Sequence, residues 1–161
     1  MSTPVLTGGC QCGAVRYALD QQPQNVHVCH CRMCQKAVGG PFAIICPVFK
    51  TAFRVTRGTI SYFHSSDIAR RGFCSACGTP LIFEYPDAED LGVLVGTLDE
   101  PDRAPPENQY GNESRVAWYG GLTQVPGDRP TYADNPDMLH RISSSNHQHP
   151  DHDTLVWPDP S

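Results

Sequence analysis

Seven of the eight cysteines in this 161-residue chain fall in three short clusters. These are Cys10-Gln11-Cys12, Cys29-His30-Cys31-Arg32-Met33-Cys34 and Cys74-Ser75-Ala76-Cys77. In the central cluster Cys29 and Cys31 are two residues apart, so on an extended strand both thiols face one way. Cys31 and Cys34 are three apart, a spacing that lets a tight turn aim both at one point. Three thiolates can then meet at one tetrahedral metal ion. Zinc accepts thiolate sulfur, and three protein ligands leave a fourth position for water or substrate, which is how a catalytic site differs from a structural one. His30 stands between two ligands, and strand alternation turns it away from them.

The outer pairs form a second set. Cys10 and Cys12 with Cys74 and Cys77 supply four sulfurs, enough to close a structural zinc site. Such a site would tie an early hairpin to a late knuckle. A glycine follows each pair, Gly13 and Gly78. That suits a turn in which backbone N–H groups point at sulfur and φ is positive. Disulfides or a redox Cys-x-x-Cys are the competing readings. The opening Met1-Ser2-Thr3-Pro4-Val5-Leu6 lacks the basic start and apolar core of a secretory leader. A cytoplasmic location with reduced thiols is therefore expected, and clustered cysteines there favour metal. Cys46 stands alone in an apolar run and reads as a core residue.

The segments Gly8 to Tyr17, Cys29 to Cys34 with Gly40-Pro41-Phe42, and Phe73 to Leu81 together resemble the glutathione-dependent formaldehyde-activating enzyme family, which includes the centromere protein V group. Gly96-Thr97-Leu98-Asp99 and Glu113 to Trp118 are similar to it as well, so the resemblance covers about residues 5 to 135. It implies a mainly β fold, the β-tent or Mss-type arrangement of short antiparallel strands, with two zinc ions. It assigns the structural zinc to Cys10, Cys12, Cys74 and Cys77 and the catalytic one to Cys29, Cys31 and Cys34, as the spacing does. The activity it implies is that of an S-(hydroxymethyl)glutathione synthase, a carbon–sulfur lyase in which glutathione adds to formaldehyde.

The elements that must position these clusters are short strands. Residues 14 to 19, 26 to 28, 42 to 49 (interrupted by Pro47), 68 to 73, 81 to 85 and 91 to 98 carry strand patterns, with a turn at Pro86 to Asp90. Residues 53 to 56 and 59 to 64 flank Arg57-Gly58 and read as a hairpin. Gln35 to Val38 suits a helical turn that Gly39-Gly40-Pro41 ends. Short strands with turn signals between them indicate a mainly β domain independently of the resemblance. Asp99 to Asn112 reads as a long surface connection and Arg115 to Tyr119 as a strand or a segment folded over the sheet. Trp118 and Tyr119 are expected in the core, with ligand contact as the sharper alternative. The chain length fits one domain, taken as residues 1 to 141, with 142 to 161 a polar tail. His147, His149 and His152 in that tail are expected to be solvated.

Charge is uneven. Residues 1 to 80 hold eight Lys or Arg against two Asp, and residues 81 to 161 hold four Arg against fifteen Asp or Glu. Seven thiolates on two zinc ions would lower the first half to about +3. That surplus suits an anionic partner such as glutathione, a small-molecule thiol with two carboxylates. Arg32 and Lys36, beside the central cluster, are the expected contacts, with solvated surface residues as the alternative. A non-enzymatic zinc-binding protein or a nucleic-acid module is the rival class. Against nucleic acid stand the acidic second half, the pI of 5.7 and the lack of a basic run. No stretch has the length of a membrane span. No proton shuttle is evident in the sequence, and His30 and His64 are only candidates for one. Three thiolates donate strongly to zinc, so a role in orienting a substrate sulfur is favoured over making hydroxide.

Overall fold

The computed structural model describes residues 4–127 and 134–157. Two sheets organise them. A three-stranded sheet has the order β1-β2-β5, from β1 (Leu6–Gly9), β2 (Arg16–Leu19) and β5 (Phe53–Arg57). The larger sheet is built from β3 (His27–Cys29), β4 (Ala43–Phe49), β6 (Ser61–His64), β7 (Arg70–Phe73), β8 (Pro80–Glu84), β9 (Asp90–Leu94) and β10 (Asn108–Tyr110). Its order is β10-β3-β4-β9-β8-β7-β6. The fold is mainly β, as expected, and its pairs are antiparallel except for β10 on β3.

The core lies where the sheets face each other. Leu6, Tyr17 and Leu19 of the small sheet pack with Cys46, Val48, Leu81 and Val93 of the large one. Each such aliphatic side chain contributes about 1.5–3 kcal/mol on burial. Cys46 is fully buried, as its apolar surroundings in the sequence indicate, and burial pushes its thiol up to about 11. The Gly96-to-Asp99 stretch links the layers. Thr97 Oγ1 meets the Tyr17 hydroxyl at 2.8 Å, and Asp99 accepts from Thr7 Oγ1 and from the buried Arg16.

Three local expectations are corrected. Residues 53 to 64 do not form a hairpin: β5 pairs with β2, while β6 pairs with β7 in the other sheet. Gly58, at φ +70, carries the chain between them, and a Cβ there would strike the Ala14 carbonyl. Pro47 does not interrupt β4. The β3 ladder ends opposite Ile45, so Pro47 lies beyond it, where a missing N–H is tolerated. The connection after Leu98 contains β10, an edge strand only three residues long.

Helix α1 (Arg32–Val38) starts earlier than Gln35 because Cys31 caps it, its sulfur accepting from the Cys34 N–H. Gly39, at φ 64, ends it in the left-handed conformation that glycine permits. Residues 115–118 form no strand; a 3-10 turn follows over Tyr119–Gln124. Helix α2 (Pro136–Ser145) runs across the boundary expected after residue 141. Beyond it the chain lies back on the Cys10–Cys12 loop. The His149 N–H donates to the Gln11 carbonyl at 2.7 Å, and Trp157 Nε1 donates to the Cys12 carbonyl. Residues 128–133 and 158–161 of the expected domain and tail lie outside the described residues. No described helix is long and apolar enough to cross a membrane.

Candidate metal centres

The two cysteine sets assemble separately. Cys10, Cys12, Cys74 and Cys77 bring their sulfurs within 4.8 Å of one another, and so do Cys29, Cys31 and Cys34. Each group could hold a metal ion, since thiolates packed this closely need a cation to offset their repulsion.

The four-cysteine centre joins two turns, each closed by a glycine of positive φ. Cys10 opens the first and Gly13, at φ +77, closes it by donating to the Cys10 carbonyl at 3.0 Å. Cys74 opens the second and Gly78, at φ +78, donates to the Cys74 carbonyl at 2.8 Å. Both glycines thus hold the conformation expected of them. The Val15 N–H donates to Cys10 Sγ at 3.2 Å, and Thr79 Oγ1 lies 3.1 Å from Cys77 Sγ. These surroundings divide the thiols. Burial pushes Cys10 up to about 12. Burial acts the same way on Cys77, but the Thr79 hydroxyl and N–H together with hydrogen bonds from Cys12 outweigh it and lower that thiol to about 6.

The three-cysteine centre follows from strand and cap. Cys29 ends β3, and Cys31 caps α1 with Cys34 in its first turn. Cys29 Sγ and Cys31 Sγ are 3.5 Å apart. Burial pushes Cys29 up to about 12. Burial also acts against the Cys31 thiolate, yet the Cys34 N–H and the neighbouring groups outweigh it and lower that thiol.

His30 turns away from the sulfurs, as alternation requires. It is fully buried, edge-on to Phe42 and Tyr119, with Nε2 3.0 Å from Gln109 Oε1. Gln35 Nε2 donates to the His30 carbonyl at 2.6 Å and to the Ser114 carbonyl at 3.0 Å. Gly111, at φ +69, lies flat on Cys31, where a Cβ would sit 2.8 Å from the Cys31 nitrogen. Tyr119 is thus a packing residue, whereas Trp118 is 57% exposed and outside the core. His64 is exposed on β6 opposite Arg70. No tail histidine joins either cysteine group among the described residues.

One participant was not foreseen. Arg71, on β7, donates from Nη2 to Cys34 Sγ at 3.6 Å, and its guanidinium lies 4.9 Å from the Phe83 ring centre. A cavity of about 490 Å³ opens beside Cys29, Cys31 and Cys34, with Arg71 and Phe83 in its wall. A second, of about 400 Å³, shares Met33, Ser65 and Arg71 with the first and is lined by Lys36. Arg32 is exposed and donates to Gln35 Oε1.

Comparison with known proteins gives one consistent picture. A family model described as "Glutathione-dependent formaldehyde-activating enzyme" matches residues 5–113. A Schizosaccharomyces pombe protein named as an uncharacterized lyase is 28% identical over 87 residues, 54% of this chain and 63% of that protein. A Halomonas elongata protein, provisionally named a glutathione-dependent formaldehyde-activating enzyme, is 29% identical over 115 residues, 66% of this chain and 73% of that protein. The matched part of this chain thus spans just under two thirds of the fission-yeast relative. The crystal structure of a Rhodobacter sphaeroides protein superposes with a TM-score of 0.51 at 25% identity, covering 64% of this chain and 98% of that one.

Proposed function

This chain belongs to the glutathione-dependent formaldehyde-activating enzyme family, and we propose that it is a zinc-dependent carbon–sulfur lyase-type enzyme that joins a small-molecule thiol, glutathione first among them, to formaldehyde or a related aldehyde. The observation that carries this reading is the cavity of about 490 Å³ against the three-cysteine centre. A purely structural zinc site has no need of a substrate-sized space at its edge. The four-cysteine centre is the structural zinc in this reading, and Cys29, Cys31 and Cys34 hold the catalytic one.

Zinc bound there would supply deprotonation of a substrate thiol or polarisation of an aldehyde oxygen. The chain's own residues do the rest. Cys31, whose thiol is lowered, and Cys29 fix the ligand set between β3 and α1. Arg71 offsets the negative charge at Cys34. Lys36 lines the adjoining cavity and is the residue assigned in this reading to a carboxylate of the thiol, whereas Arg32, one helical turn away, donates to Gln35 Oε1 and lines neither cavity. The apolar packing of His30 leaves it a positioning role for Cys29 and Cys31 rather than proton transfer. The reading takes residues 1 to 141 as the acting domain, 142 to 161 as an appended segment, and the reducing cytoplasm as the compartment that keeps these thiols free.

The test is zinc content per chain together with adduct formation from glutathione and formaldehyde, followed directly and compared with the uncatalysed reaction. Two zinc ions with turnover above background is the expected result. Two zinc ions without turnover for any thiol and aldehyde pair would reject the enzyme reading.

A further inference from the structure

We propose that the electrophile carries an apolar substituent of several carbons, seated in the cavity beside Cys29, Cys31 and Cys34, while the thiol approaches from the adjoining cavity past Lys36. This names the substrate class of the site and rests on the enzymatic reading above.

Size is the first argument. Formaldehyde has two heavy atoms and fills about 60 Å³ if each takes the roughly 30 Å³ of a liquid water. The cavity is about 490 Å³, within the range of sites that enclose ligands far larger than that.

The walls are the second argument. Ile45, Pro47, Ile68, Ala69, Phe83 and Tyr85 line it. Ile68 is 70% exposed and Tyr85 48%, so large apolar side chains stand uncovered on the rim. His27, Ser65, Ser66 and Arg71 also line it, but most of its wall is hydrocarbon, so a glutathione chain laid here would leave part of its two carboxylates and ammonium group unpaired, which disfavours it. An alkyl or aryl group would gain about fourfold in binding for each methylene buried.

Charge is the third. Arg71 lines both cavities, so the difference lies in Asp90, which at this cavity's wall repels a carboxylate, and in Lys36, which in the adjoining cavity attracts one. The two cavities share Met33, Ser65 and Arg71, beside Cys34, so reactants held one in each would face one another there. In the reaction the thiol sulfur bonds to the carbonyl carbon and the C=O π bond breaks. The thiol proton ends on the oxygen. Nothing is oxidised or reduced.

The experiment uses the zinc-loaded full chain with glutathione and a series from formaldehyde through acetaldehyde and butanal to hexanal. Adduct formation is followed by NMR exchange, and each rate is divided by its uncatalysed rate to remove intrinsic reactivity. The enhancement should climb about fourfold per methylene over the first few carbons, with the aldehyde KM falling and the glutathione KM steady. Ala69→Phe should flatten the series and raise the aldehyde KM, whereas Lys36→Ala should raise the glutathione KM. An enhancement that is greatest for formaldehyde and falls with each carbon would overturn the proposal and leave the enzyme reading intact. So would an Ala69→Phe variant that raises the glutathione KM instead. If that variant does not fold, the wild-type series decides alone. Two bound zinc ions with no adduct from any aldehyde would overturn both.

Discussion

Arg71 Nη2 lies 3.6 Å from Cys34 Sγ, across 37 positions of sequence, and among the described residues its guanidinium is paired with no carboxylate. Its neighbour Arg70 points the other way on β7, where it meets Glu84 and covers the Tyr62 ring. Strand alternation thus assigns one arginine to an ion pair and the other to a sulfur.

Replacing Arg71 with Met should weaken zinc at the central site about 10- to 100-fold, the usual cost of losing a group that hydrogen-bonds a metal ligand. Arg71→Lys should fall between, because it keeps the charge and loses the fork of donors. Competition with a chromophoric chelator measures this. Unchanged retention in Arg71→Met would mean the contact with Cys34 carries no weight.

Cys31→Ser and Cys12→Ser should separate the two centres. The first should lose one zinc and all turnover while keeping the melting temperature within a few degrees, since its centre lies at the end of β3. The second should lower the melting temperature sharply, because zinc bound by a structural site is folding free energy. Metal analysis and thermal melts on both variants decide it, and a stable Cys12→Ser protein would contradict the structural assignment.

Gly111→Ala should reduce central-site zinc retention at a cost of about 1–2 kcal/mol from the left-handed backbone alone. The added Cβ would also press on the Cys31 nitrogen at 2.8 Å. Gly96→Ala is the control, because nothing lies within 4 Å of its Cβ position. Equal behaviour of the two variants would show that Gly111 does not support Cys31.

Acid should undo the joint between the sheets. Burial raises the Asp99 carboxyl, but hydrogen bonds from Arg16 and Thr7 prevail and hold it below the usual carboxylate range. A depressed folded-state value means the contribution is fully present above the unfolded value of about 3.9 and disappears as pH falls through the folded one. Stability measured in urea should therefore drop below about pH 4. Asp99→Asn should cost about 3 kcal/mol at pH 7, because Arg16 is only 3% exposed and keeps just the half-exposed Asp153. That variant should also flatten the acid limb; an unaltered limb would place the acid sensitivity elsewhere.

The sequence revealed what depends on spacing. The Cys29 and Cys31 sulfurs meet at 3.5 Å although only Cys29 lies on β3, Gly13 and Gly78 take positive φ, and Gly39 ends α1. Each of these is decided within a few residues. Arg71 was hidden because Arg70-Arg71 looks like ordinary surface charge, and only the packing of β7 near α1 brings it to Cys34. The three residues of β10 are too few for a period, and their partner is a parallel strand about 80 positions away. Arg57-Gly58 has the chemistry of a hairpin turn, but local chemistry does not say which sheet the next strand joins.

The four-cysteine centre also sets an order of events for the growing chain. Cys12 and Cys74 are 62 positions apart, with their sulfurs 3.9 Å from each other. Closing a loop of that length costs about 4 kcal/mol of chain entropy. During synthesis the first pair of thiols must wait for the second, while the central three, spanning six residues, can bind metal almost as soon as they appear. A ribosome-stalled chain ending before Cys74 would thus carry its three-cysteine centre before the clasp that ties its two turns together.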